Sequence, residues 1–232
     1  MSDDGRWAVL IALAGYNIVQ NMVIPAGAYV PANLAASLSL VQLARRYGCS
    51  LADVGLGPNR VIKGLRLGVA ASLTVAALAV AVSLHPRASR YLLDDRAAGH
   101  DGGGIAYRSL VRFPLGTALF EEVAFRGVVY GVWRRAGASQ VRAAAVTSAA
   151  FGIWHLIPAA RALTGNPLRA KLSSRRSRIG VVVLGALVTA ISSFGLTWLR
   201  VRSEGLIAPW LAHAAVNSAG YLAGVRAWQR AI

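Results

Sequence analysis

The chain has 232 residues, 56% hydrophobic and 15% charged, and its 25 Lys+Arg against 9 Asp+Glu give a formal net charge of +16. A mean hydropathy of +0.50 fits a helical membrane protein better than a soluble domain of this size, and the single cysteine, Cys49, excludes an internal disulfide or a cysteine metal cluster. The basic residues gather at the ends of apolar runs, which suits anionic lipid headgroups as partners and argues against nucleic acid.

Residues 7–24 (WAVLIALAGYNIVQNMVI) predict the first membrane span, retained rather than cleaved, because MSDDGRW lacks a basic n-region and the apolar run exceeds an ordinary signal core. A turn at 25–29 leads to a short second span over 30–44, closed by Arg45 and Arg46. Residues 48–66 mix Gly, Pro and charge and read as an interfacial connection, and 67–84 is the clearest uninterrupted span. The stretch 85–108, with His85, His100 and three consecutive glycines, reads as an extramembrane loop, mobile at Gly102–Gly104.

A fourth span runs from Phe113 to Trp133, long enough to cross a hydrocarbon core of about 30 Å. It carries Glu121, Glu122 and Arg126, and each such group costs at least about 2.5 kcal/mol at mid-bilayer, so their presence demands a reason. On a helix Glu122 and Arg126 share a face in the favourable acid-before-base order, while Glu121 points about 100° away. The fifth span, 141–162, contains His155 and then Pro158, where the helix must bend or end. A basic loop holding Arg169, Lys171, Arg175, Arg176 and Arg178 precedes a sixth span over 179–199, and 206–225 makes the seventh. The expected fold is an all-α polytopic transmembrane bundle of seven to eight spans, a single domain over 1–232 without internal repeat.

Three motif-bearing segments each aim an ionisable side chain at similar depth. They are Glu121 in EEVAFR, His155 in FGIWH with Phe151 on its face, and His213 in HAAVN with Asn217 on its face. Taken singly, Glu122 with Arg126 is a staple between helices, and each histidine a packing hydrogen bond. Taken together, a carboxylate and two imidazoles have the composition of a zinc site at Glu121, His155 and His213 with one position left for water. A metal-free arrangement uses the same groups, with Glu121 as general base and Asn217 donating to an oxyanion.

At these residues the chain resembles the CAAX protease and bacteriocin-processing family of intramembrane metalloproteases, related to the Ras-converting CAAX endopeptidase. The family pattern EExxxR, FxxxH and HxxxN is present in order, and the likeness extends over about residues 48–225. It implies a fold of about eight spans, Glu121, His155, His213 and Asn217 as the catalytic set, and Glu122 and Arg126 as support. It further implies zinc as cofactor, a membrane-anchored peptide or protein as substrate, and a prokaryotic plasma membrane as location. A noncatalytic scaffold or immunity-type protein of the same fold is the alternative. A proton-coupled transporter would want a second, symmetry-related half, and none is visible.

Overall fold

The computed structural model describes residues 4–85, 92, 101–164, 172 and 174–231, and among them every regular element is a helix. In chain order these are α1 (Asp4–Met22), α2 (Tyr29–Arg46), α3 (Val61–Leu84), α4 (residues 102–135), α5 (Gln140–Trp154), α6 (Leu156–Thr164), α7 (Arg175–Ser203) and α8 (Ile207–Ala231). Helices α5 and α6 form one rod broken at His155. His100, Arg169 and Lys171 lie outside the described residues.

Among the described residues three elements are long and apolar enough to cross a membrane: α3, the α5–α6 rod and α7. The other four long helices carry the polar residues that lower hydropathy, and many of these face inward. Asn17 and Gln20 on α1, Asn33 and Ser37 on α2, and Glu121, Glu122 and Arg126 on α4 are all buried.

Two expectations about where helices begin need correction. Helix α3 starts at Val61, six residues earlier than the apolar run suggested, because Gly64 and Gly68 let it lie against the start of α8. A Cβ at Gly68 would stand 2.9 Å from Leu211 Cδ1 and 3.1 Å from Ala208 Cα, the close approach that small-residue spacing permits between membrane helices. The glycine run at 102–104 is not a loop. It forms the first turn of α4, capped by Asp101, whose carboxylate accepts from the Gly104 N–H at 2.7 Å.

Helix α4 is the axis of the molecule, contacting α1, α2, α5, α7 and α8. Its turns widen at two places, where the Leu119 N–H reaches Pro114 O and the Tyr130 N–H reaches Phe125 O. Pro114 brings no N–H of its own, and side chains from neighbouring helices donate to carbonyls nearby. Asn33 Nδ2 donates to Gly116 O at 2.7 Å, Trp210 Nε1 to Pro114 O at 2.8 Å, and Ser218 Oγ to Ser109 O at 2.7 Å. Toward its other end α4 seats the loop after α2. A Cβ at Gly131 would meet Asp53 O at 2.8 Å, and Arg200 Nη2 donates to that same carbonyl at 3.0 Å.

Candidate active site

Glu121 and Glu122 stand at the boundary between a tight and a wide stretch of α4, both buried. Glu122 and Arg126 have no solvent exposure at all and are joined by Arg126 Nη1 donating to Glu122 Oε1 at 3.0 Å. From α8, His213 Nδ1 donates to the same oxygen at 2.7 Å. Arg126 continues the chain of contacts to α7, where Nη2 donates to Ser193 Oγ at 2.8 Å, and its guanidinium lies 4.1 Å over the ring of Phe151. Two donors thus converge on one oxygen of the Glu122 carboxylate.

Glu121 has a different set of neighbours. Its Oε1 accepts from Trp154 Nε1 at 3.1 Å, while Oε2 is buried without a hydrogen-bond partner. Facing Oε2 are His213 Nε2 at 3.5 Å and His155 Nε2 at 3.8 Å. Each imidazole is anchored through its other nitrogen, His213 on Glu122 and His155 on Phe151 O at 2.8 Å. With Nδ1–H donating in both rings, a neutral imidazole presents the Nε2 lone pair toward Glu121. Phe151 supports all of this, its ring 4.4 Å from that of His155 and 5.9 Å from that of His213.

Among the described residues no three His, Cys, Asp or Glu side chains form a group that would hold a metal ion as they stand. The donor chemistry nonetheless fits zinc. The free oxygen of Glu121 and two Nε2 atoms with engaged Nδ1 partners are the second-shell pattern of a histidine site. Ligand atoms around tetrahedral zinc lie about 3.3–3.6 Å apart for bonds of about 2.0–2.2 Å. The 3.5 Å separation falls within that span and the 3.8 Å separation just outside it.

Asn217 stands one turn beyond His213 on α8, half-buried, and among the described residues its side chain has no hydrogen-bond partner. His155 is more open than Glu121 or His213, its side chain one-fifth exposed (20%). It sits at the break in the α5–α6 rod, which falls at His155 itself rather than one turn later. Pro158 supplies no N–H to Trp154 O, and that carbonyl accepts instead from Asn17 Nδ2 of α1 at 3.0 Å.

Sequence reasoning missed Trp154, Ser193 and Asn17. Each is a polar group on an otherwise apolar helix, but only the tertiary arrangement shows which motif residue it serves.

No curated protein and no solved structure matches the chain. Residues 105–219 match the family model for type II CAAX prenyl endopeptidase Rce1-like proteins, and the matched stretch takes in all three motifs. The match and the three membrane-length apolar helices together mark an integral membrane protein of protease class. Through residues 105–219, the chain belongs to the Rce1-like family of type II CAAX prenyl endopeptidases.

Proposed function

We propose that the protein is an intramembrane endopeptidase that hydrolyses a peptide bond near the membrane anchor of a lipid-attached or membrane-spanning substrate. The observation that carries this reading is the unpartnered, buried Oε2 of Glu121 facing two imidazole Nε2 atoms at 3.5 and 3.8 Å. A buried carboxylate oxygen without a donor is costly, and a polar guest between these three atoms removes the cost.

In the hydrolytic step, water held among Glu121, His155 and His213 loses a proton to Glu121 Oε2 as its oxygen bonds to the scissile carbonyl carbon. Asn217 Nδ2 donates to the carbonyl oxygen as it takes on negative charge. The C–N bond then breaks, and the proton held by Glu121 passes to the leaving amine. Glu122, held by Arg126, keeps His213 oriented throughout. Glu121, His155 and His213 are also the residues that would hold zinc, which when bound acts as a Lewis acid toward the carbonyl and the water.

We read α1, α2, α4 and α8 as crossing the bilayer too, giving seven crossings. Their polar groups are largely buried while Ile11, Ile18, Leu34 and Leu38 are exposed, an arrangement suited to hydrocarbon outside. A site inside such a bundle reaches a peptide bond close to an anchor. The exposed cations at the helix ends, Arg45, Arg46 and Arg135 among them, suit anionic headgroups.

The test is cleavage in liposomes of a membrane-tethered peptide beside the same peptide without its tether. Cutting of the tethered form alone, abolished by Glu121→Gln, is the expected result. If Glu121→Gln restores every phenotype of a deletion strain and no membrane protein gains a new terminus, the protein is a scaffold of this fold.

A further inference from the structure

Glu121 has one oxygen committed and one free, and the residue that commits it lies outside the three motifs' defining positions. Trp154 Nε1 donates to Oε1 at 3.1 Å, and the ring is wedged between Phe120 and Phe125 at centroid distances of 5.5 and 5.7 Å. Trp154 is buried, so its indole N–H needs an acceptor, and Glu121 is the one it has. Its backbone is fixed as well, because the carbonyl left without a helical donor by Pro158 is taken by Asn17 of α1.

We propose that Trp154 is a positioning residue. By holding Oε1 it fixes the rotation of the Glu121 carboxylate, so that Oε2 is the oxygen offered to His155 and His213. Without the indole donor the carboxylate can turn and present either oxygen, or neither, to the two Nε2 atoms. Helix α1 then becomes a working part of the site although it lies outside the matched residues, since Asn17 secures the main chain at Trp154.

The inference rests on Glu121 being the reacting carboxylate, and two readouts keep the questions apart. The first is kinetic, with the tethered peptide in liposomes. Trp154→Phe and a chain carrying 3-benzothienylalanine at 154, which keeps the bicyclic shape without the N–H, should both lose about 30- to 100-fold in kcat with KM changed less than about twofold. The benzothienyl form should retain the yield and unfolding midpoint of the parent, which separates lost positioning from lost packing. Parent-like kcat in that form would overturn the proposal.

The second readout needs no activity. In protein with ¹⁵N-labelled indoles, the resonance that disappears in Trp154→Phe should move upfield in Glu121→Gln, since a neutral acceptor replaces an anionic one. An unmoved resonance also overturns the proposal. A parent protein that cuts nothing counts against peptide hydrolysis, while the resonance still decides whether Trp154 holds the carboxylate.

Discussion

His213 is tied to Glu122 by a 2.7 Å hydrogen bond through Nδ1, and that bond turns its Nε2 toward the other glutamate, Glu121, at 3.5 Å. Two adjacent acids thus face different demands. Glu122 supports a fully buried cation and an imidazole on one oxygen, whereas Glu121 accepts a single indole on one oxygen and turns the other toward two imidazole Nε2 atoms. Glu122→Gln should cost about 3–5 kcal/mol of stability because Arg126 is left without its charge partner in the interior. Glu121→Gln keeps an acceptor for Trp154 and should abolish cleavage with little change in unfolding midpoint. Thermal unfolding in detergent beside liposome activity checks both, and equal stability of the two variants would remove the distinction.

Metal content is the second expectation. Purified protein should carry close to one zinc per chain, and His155→Ala or His213→Ala should each lose it, because each removes one of three donors. Elemental analysis after gel filtration measures this. A fully active preparation with no metal, unaffected by long chelation, assigns Glu121 the role of base alone.

The meeting of Glu121, His155 and His213 was legible in the sequence because each is an ionisable group deep in an apolar run, and burial of that kind demands a partner. The Glu122 and Arg126 pair was legible from its spacing alone. Trp154 was not, since a tryptophan in an apolar helix reads as packing until the carboxylate opposite it is known. Neither was the helical start of α4, where three glycines argue for a loop and the Asp101 cap and the contacts of α4 with α8 prevail. Positions that need glycine for close approach are equally silent in sequence, because the neighbour comes from a distant segment.

Glycine positions therefore separate sharply on substitution. Gly131→Ala should destabilise by about 1–3 kcal/mol, because its Cβ would meet Asp53 O at 2.8 Å and the loop is pinned there by Arg200. Gly15→Ala on α1 meets nothing within 4 Å and should be neutral or slightly stabilising. Unfolding midpoints of the two variants, measured side by side, test the packing of the 49–57 loop against α4. Parity between them would refute it.

Outside the membrane helices, Glu204 closes the turn between α7 and α8 in a left-handed conformation (φ 57) and bridges Lys63 at 2.9 Å and Arg60 at 3.0 Å. The hydrogen bond from Lys63 and the nearby charge of Arg60 hold its carboxyl below the usual glutamate range. A depressed folded-state value means the bridge contributes above the unfolded pKa of about 4.3 and is lost as pH falls through the lower folded value. The gap in unfolding midpoint between parent and Glu204→Gln should be constant from pH 6 to 8 and close below about pH 4. A gap that widens on acidification would contradict the bridge.

The break at His155 offers the last test, because one residue causes it. In Pro158→Ala the new N–H can donate to Trp154 O, the acceptor now served by Asn17 at 3.0 Å, and the α5–α6 rod can run on as a continuous helix. The rod gains a backbone hydrogen bond, so stability should hold or rise. His155 leaves the turn that sets its ring 4.4 Å from Phe151, and Trp154 loses its tether to α1. Cleavage of the tethered peptide should therefore fall about tenfold or more without loss of folded protein, a displacement effect of the kind expected when a positioned group shifts by about 1 Å. Asn17→Leu acts on the same carbonyl in the opposite sense, leaving it unpaired at a cost of about 1–3 kcal/mol. Parent-like turnover in Pro158→Ala, with unfolding midpoints showing both variants folded, would mean that the break does not place His155.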